Sequence, residues 1–222
     1  MQQRMFPRLS LAALSLFAAC ASGSRTDSPV QVEEMMTWIE KVYGEAERAR
    51  DAIADSFERL NALAGGRFDQ DPAPVMYARF VQSIDVADEQ AKRFRECVAP
   101  MLASAAPVFS NWQQDIASIS SDRLRQRSEL RFAVAKERYD AIKAVAVPSQ
   151  EMFDGFVRSL RDHAIFLAHD LNAGSIDDIQ DEVKLVAQTA LQLDQNMEST
   201  MAATRAYVEQ SALPAAAPSG GR

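Results

Sequence analysis

The fold of this protein is decided by residues 80–112, FVQSIDVADEQAKRFRECVAPMLASAAPVFSNW. Apolar and small side chains recur in this stretch in unbroken steps of four and three residues, which keeps them on one side of a helix, whereas a strand would alternate every second residue. The stretch therefore predicts a long amphipathic helix with a heptad seam suited to a helical bundle. The seam positions are Phe80, Ile84, Ala87, Ala91, Phe94, Val98, Met101, Ala105, Val108 and Trp112.

Two prolines, Pro100 and Pro107, fall inside this predicted helix. They are seven residues apart, so they share one face, and the seam passes both without losing its register. Each proline removes one backbone hydrogen bond. We therefore predict a gentle bend of the helix at these positions and no break.

Three more helical segments are predicted on either side of this one. Helix 1 starts with Ser28 as N-cap and Pro29, and ends at Gly65-Gly66. The second helix follows Asp71-Pro72-Ala73-Pro74. The third is capped by Ser121, is interrupted by Pro148 and ends near Asn172-Ala173-Gly174, and the fourth starts with Ser175 and Asp178.

Each of these three helices has an apolar seam of its own. In helix 1 the seam is Val32, Met35, Ile39, Val42, Ala46, Ala49, Ile53, Leu60 and Leu63, widened by Met36, Tyr43 and Phe57. In helix 3 it is Ser128, Phe132, Ala135, Tyr139, Ile142, Ala146, Ser149, Phe153, Phe156, Leu160, His163 and Leu167. In helix 4 it is Ile176, Ile179, Val183, Val186, Ala190, Leu193, Met197, Thr200 and Tyr207. Heptad seams joined by short connections predict an all-α, elongated antiparallel four-helix bundle.

The four predicted helices differ in length, so part of the rod should consist of two helices only. Helices 2 and 3 are the longer pair, and their hairpin should protrude over residues 109–135, about 20 Å of rod. In an up-down-up-down bundle the start of helix 1 lies at this same end.

The first 26 residues resemble a secretory signal. They contain no acidic residue, carry Arg4 and Arg8, and run apolar from Leu9 to Ala19 before Cys20. An apolar run of this length is too short to span a bilayer, which takes roughly 20 helical residues. We therefore expect residues 1–19 to be a signal peptide.

The segment Leu16-Phe17-Ala18-Ala19-Cys20 resembles a bacterial lipobox, in which the cysteine is acylated and the chain is cleaved before it; Phe17 departs from the usual aliphatic residue. The alternative is ordinary cleavage after Ala19-Cys20-Ala21, which leaves a soluble periplasmic protein. The flexible residues that follow, Ala21-Ser22-Gly23-Ser24, favour lipidation of Cys20. Residues 20–28 are then the lipidated cysteine and its linker, residues 29–211 a single bundle domain, and residues 212–222 a disordered tail. Ala21 in place of Asp resembles the sorting signal for the periplasmic face of the outer membrane.

Charge and the reactive side chains exclude several function classes. Without Arg4 and Arg8 the chain holds 22 basic and 31 acidic side chains, a net charge of −9, which does not suit nucleic acid. His163 and His169 are six residues apart and lack the Glu-x-x-His pattern of a di-metal bundle, and Cys97 lies beside the seam without a histidine partner. We predict no metal, no cofactor and no catalytic site.

The sequence also contains a cluster of basic residues at an unfavourable position in a predicted helix. It consists of Arg123, Arg125, Arg127 and Arg131 in the first turns of helix 3, where the positive end of the helix dipole repels cations. With Trp112 and Phe109 it could contact a membrane or an acidic partner. The alternative is a solvated face, with both aromatic residues closing the two-helix seam. Against Asp115, Asp122 and Glu129, the arginines give residues 109–135 a net charge of +1.

Several short helical motifs resemble a proteobacterial family of unknown function, DUF2959. They are Phe109-x-x-Trp112, Leu124-Arg125-x-x-Ser128-Glu129, Arg138-Tyr139 and Leu167-Ala168-His169-Asp170-Leu171-Asn172. The resemblance covers residues 30–210. It implies a helical envelope protein and carries no activity or catalytic residue.

The sequence leaves two functions in competition. The first is a non-catalytic, lipid-anchored envelope protein that acts as a helical spacer, tether or adaptor for another envelope protein. The second is a bundle that binds an apolar small molecule or lipid between its helices. A hydrolase or transferase is disfavoured because the seams are apolar and gather no titratable groups. A cavity lined by seam residues would favour the second function.

Overall fold

The structure is a computed structural model that describes residues 28–66 and 71–211, and it is helical almost throughout these ranges. The helices are α1 Ser28–Ala64, α2 Ala73–Ala117, α3 Asp122–His169, α4 Ala173–Asp178 and α5 Gln180–Ser211. No strand occurs in the described ranges, so the predicted all-α class is confirmed. The predicted signal peptide, Cys20, most of the linker and the tail from residue 212 lie outside the described residues.

The four long helices form an antiparallel bundle in which each packs against two neighbours. α1 packs against α2 and α5, and α3 packs against the same two helices from the other side. Two hydrogen bonds show which ends of the helices lie side by side. Asn111 Nδ2 of α2 donates to Gln31 Oε1 of α1 at 3.0 Å, and Gln180 Nε2 of α5 donates to the Ala64 carbonyl at 2.6 Å. The start of α1 therefore lies at the α2–α3 end, as predicted.

The core follows the predicted seams closely. In α2 the seam is buried from Phe80 to Val108, and Trp112 at its end is partly exposed. Prediction fails at Val32 of α1, which is 41% exposed because it lies where the bundle narrows towards its end. The largest fully buried side chains include Phe80, Phe94 and Phe153.

Buried serine and threonine side chains of the long helices are satisfied within their own helices. Ser56 donates to the Ala52 carbonyl at 2.7 Å, and Thr204 donates to the Thr200 carbonyl at 2.9 Å. This four-residue back-bonding lets a small polar side chain occupy a seam without leaving an unpaired donor. The seams thus stay tightly packed where α1 and α2 approach through alanines such as Ala46 and Ala87, both fully buried.

Both prolines of α2 lie within one continuous helix, Ala73–Ala117, so the prediction of no break is confirmed. Pro107 is exposed and Pro100 is partly exposed, beside the buried seam. α3 likewise continues through Pro148. The carbonyl that loses its helical partner lies four residues before each proline, on the same side of the helix and away from the buried seam.

Several helix ends differ from the predictions. Ser28 already lies within α1, whereas Ser121 occupies the N-cap position of α3 as predicted, although its side chain makes no capping hydrogen bond. α3 ends at His169, and Asn172 starts a separate short helix by accepting a hydrogen bond at Oδ1 from the Ser175 amide at 3.1 Å. The predicted N-cap, Ser175, is buried instead. Asparagine competes for this role because its side chain reaches an amide three residues ahead.

Two polar ties connect the outside of α1 to its neighbours. Arg50 donates to both carboxylate oxygens of Asp194 on α5, at 2.6 and 3.1 Å. On the other side, Gln90 of α2 donates to Glu45 at 2.7 Å, and the hydrogen bond from Arg48 to Glu45 lowers the pKa of that carboxyl. Both ties fix the axial register of helices whose seams consist mostly of nondirectional apolar contacts.

Candidate functional site: the hairpin tip and the groove at its base

The α2–α3 hairpin ends in a tight connection that one arginine holds in place. Arg125 Nη1 donates to the Ile119 carbonyl at 3.2 Å, and Nη2 pairs with Asp122 in the first turn of α3. The Arg125 amide also bonds the Ser121 carbonyl at 2.9 Å. Arg125, predicted as a contact residue, is therefore occupied within the connection.

The other three arginines of the cluster have different surroundings. Arg123 and Arg127 are exposed, and neither has an ion pair with any described residue. Exposed Leu124 lies between Arg123 and Arg125, with 53% of its surface accessible. Arg131 lies further along α3, where it lines a groove between the helices. The exposed surface of the tip thus combines Arg123, Arg127 and Leu124 with the exposed carboxylates of Asp115, Asp122 and Glu129.

The aromatic residues predicted at the tip close the seam between the two helices. Trp112 Nε1 donates to Ser128 Oγ at 3.1 Å, and its ring packs edge-on against Phe132 with centroids 5.5 Å apart. Phe109 is only 7% exposed and packs against Phe132 and Tyr139. The suggested membrane contact of Phe109 is therefore wrong, because the core already buries its ring. Trp112 keeps a partly exposed edge.

The protruding hairpin is shorter on the α1 side than predicted. The bond between Gln31 and Asn111 places α1 beside residues that were expected to stand free. Beyond that bond lie residues 112–130, about 13 Å along α3. Three arginines and three carboxylates fall in this stretch, so its net charge is zero instead of +1. Arg131 accounts for the difference.

A groove opens at the base of the hairpin, where α5 ends at Ser211 and the core of the bundle becomes narrower. Its volume is about 740 Å³. Three apolar side chains in its wall remain well exposed: Val32 at 41%, Leu130 at 69% and Val134 at 41%. The wall also holds Met35, Met36, Val108, Trp112, Arg131, Ala135, Arg138, Tyr207, Gln210 and Ser211.

The groove was missed by the sequence reasoning, although a signal for it existed. Val134 and Leu130 are apolar residues off the predicted α3 seam, and they fall just where α5 ends. No described helix covers Leu130 and Val134, and this becomes visible only when the axial position of α5 relative to α3 is known. Seam residues Met35, Val108 and Tyr207 form the floor, which is the type of cavity that would favour ligand binding.

The remaining reactive side chains are placed in the core or on open surface. His163 is 7% exposed; its Nδ1 lies 2.7 Å from the Ser159 carbonyl, and its Nε2 has no partner among the described residues. His163, a predicted seam residue, is thus buried with one ring nitrogen unpaired among the described residues. Burial raises the pKa of the Cys97 thiol, so the group is the neutral thiol at neutral pH. Within residues 28–66 and 71–211, no group of His, Cys, Asp and Glu is arranged to hold a metal ion.

Two buried tyrosines near the groove, Tyr139 and Tyr207, have raised pKa values. Burial raises the pKa of both Tyr139 and Tyr207 from 10.0 to about 12. Tyr139 donates its hydroxyl to the Met101 carbonyl at 3.3 Å.

In the part of the chain that the structure describes, no helix has the length and apolar character needed to cross a membrane.

The fold and this end of the molecule define an all-α helical bundle with a short two-helix tip. Comparison with protein-family models matches residues 31–211 to the family described as protein of unknown function (DUF2959), and the chain belongs to that family. The predicted resemblance is thereby confirmed over nearly the same range. Neither the curated proteins nor the solved structures contain a match to the chain.

Proposed function

We propose that this protein is a non-catalytic, lipid-anchored protein of the bacterial cell envelope that serves as a helical spacer, tether or adaptor for another envelope protein. The anchor is an acylated Cys20, and the location is the periplasmic face of the outer membrane. The observation that carries the proposal is the contact between Gln31 and Asn111, because it places the start of α1 at the hairpin end.

The distance from the anchor supports this orientation. Ser28 lies eight positions after Cys20, and an extended chain of eight residues reaches at most about 28 Å. The hairpin extends about 13 Å beyond the Gln31–Asn111 bond. A protein anchored at Cys20 can therefore rest its tip on the membrane while the acidic rod extends away from an anionic surface.

The tip surface fits such a contact. Arg123 and Arg127 are exposed and unpaired among the described residues, and Leu124 offers an exposed apolar side chain between the basic ones. A basic residue near an anionic surface contributes about 1 kcal/mol of attraction at low ionic strength. Because Asp115, Asp122 and Glu129 balance the charge of the tip as a whole, the two exposed arginines supply only a weak, salt-sensitive contact that a lipid anchor would reinforce.

The tip contact can be tested with vesicles that contain anionic phosphatidylglycerol and with residues 20–222 carrying Cys20→Ser, so that neither the predicted signal peptide nor a lipid anchor contributes. We expect weak binding at low salt that falls by about tenfold or more in an Arg123→Gln, Arg127→Gln double variant, because each arginine contributes about 1 kcal/mol. Physiological salt should weaken the binding of the parent protein as well. Vesicle cosedimentation measures both effects.

The matched control is Lys143→Gln with Arg158→Gln, which removes two exposed positive charges from α3 away from the tip. This variant has the same net charge as the tip variant and should bind as the parent does. Equal losses in both variants would show a net-charge effect only, and absence of binding at low salt would contradict the membrane-facing tip. The tip would then remain available to a protein partner.

A second function is favoured by the groove at the base of the hairpin. It has the size of a small-molecule site, which ranges over about 300–1,000 Å³, and its floor consists of seam residues. We include binding of an apolar small molecule or lipid as the alternative activity of the bundle. The two functions are compatible, since the groove and the outward tip surface use different residues.

A further inference from the structure

The groove at the base of the hairpin combines an apolar floor with a basic rim. Val32, Leu130 and Val134 expose apolar surface to it, and Trp112 contributes an aromatic wall. Arg131 and Arg138 are the charged residues of the lining, and no carboxylate lines it. Neither arginine forms an ion pair with any residue of the described ranges.

The spacing of the two arginines places both at one side of the groove. They are seven residues apart on α3, which is two turns and about 10.5 Å along the helix. Residues at this spacing share a face. Unpaired guanidinium groups beside an apolar surface are complementary to an anionic head attached to an apolar chain, because guanidinium binds carboxylate through charge-assisted hydrogen bonds.

We propose that this groove binds a long-chain fatty acid, with the acyl chain against Val32, Val134 and Trp112 and the carboxylate at Arg131 or Arg138. The inference rests on the second proposed function and names its ligand class. A volume of about 740 Å³ lies within the range of small-ligand sites, about 300–1,000 Å³, and suits one acyl chain. The groove lies beside the start of α1, at the end of the bundle where the described residues begin.

Trp112 provides a reporter at the site itself. The chain has two tryptophans, and Trp38→Phe leaves Trp112 as the single one. A fatty acid brominated on its chain quenches tryptophan fluorescence only on contact. In residues 20–222 carrying Cys20→Ser and Trp38→Phe, titrated below the micelle concentration of the probe, we expect saturable quenching. The equally brominated alcohol, which lacks the charge, should bind about tenfold more weakly.

Three variants separate the contributions. Arg131→Gln with Arg138→Gln should weaken the acid about tenfold and leave the alcohol unchanged, whereas Arg123→Gln with Arg127→Gln, an equal charge change outside the groove, should leave both unchanged. Val134→Phe fills the groove and should weaken both ligands. Circular dichroism of each variant confirms that the helices are retained.

Each result decides a different part of the inference. Equal binding of acid and alcohol, or an arginine pair without effect, would overturn the anionic ligand while leaving an apolar site. Absence of quenching by either probe, or quenching that Val134→Phe does not alter, would overturn the groove as a binding site. The tether proposal depends on none of these outcomes.

Discussion

Replacing Phe153 with alanine is expected to lower the free energy of unfolding by about 3–5 kcal/mol. Phe153 is fully buried in the core of α3, among the largest enclosed side chains of the bundle. Truncation removes its transfer free energy and leaves a cavity that the surrounding helices close only in part. Because native domains are stable by only about 5–15 kcal/mol, this loss is a large fraction of the total.

The matched control for this variant lies on the same helix. Phe166 is 47% exposed, so Phe166→Ala removes the same atoms from a site that faces water. We expect a change within about 0.5 kcal/mol for this surface substitution. Denaturant unfolding followed by circular dichroism measures both variants. Similar losses for the two substitutions, or a loss below about 1 kcal/mol for Phe153→Ala, would contradict the packing of α3 described above.

The second large effect is a loss of stability in alkaline solution. The pKa of Tyr139 and of Tyr207 is raised from 10.0 to about 12 by burial. A phenol whose pKa is higher in the folded than in the unfolded state contributes stability that is fully present below pH 10 and is lost as the pH rises towards 12. At pH 11 this amounts to about 1.4 kcal/mol for each phenol, or nearly 3 kcal/mol for both.

The Tyr139→Phe, Tyr207→Phe double variant isolates this effect from other groups that titrate in the same range. Unfolding by urea at pH 8 and pH 11 should show a smaller decrease for the double variant than for the parent. Absorbance of the phenolate should show two tyrosines that ionise late in the folded parent. An equal loss of stability in the parent and in the double variant between the two pH values would contradict the burial of these two phenols.

Sequence periodicity predicted most of the fold because a heptad seam encodes both the helix and its buried face. The α2 seam was correct from Phe80 to Val108, including its passage through two prolines. Helix ends were less accurate, because Ser175 and Asn172 are both good capping residues and only the packed chain decides between them. Val32 was predicted to be buried because periodicity alone does not show where a neighbouring helix stops.

The candidate site was only partly predictable for a related reason. The arginine cluster was visible in the sequence, yet its four members separate into a residue that holds the connection, two exposed cations and a groove residue. That separation depends on the register of α1 and α5 against the hairpin. The hydrogen bond between Gln31 and Asn111 sets the register of α1, and the end of α5 at Ser211, beside Leu130 in the groove, shows the register of α5. Local sequence predicts neither contact, because the residues in each pair are about 80 positions apart.

The central claim of the account is that Cys20 carries the lipid that anchors the bundle, and metabolic labelling with an alkyne fatty acid in a bacterial host tests it directly. The chain has two cysteines, so Cys97→Ala serves as the matched control for Cys20→Ala. We predict that the parent and the Cys97→Ala protein incorporate the label and remain in the membrane fraction in high salt, since several acyl chains on one residue anchor durably. Cys20→Ala should be unlabelled and released. Equal labelling of the parent and Cys20→Ala, or labelling of neither, would contradict the account.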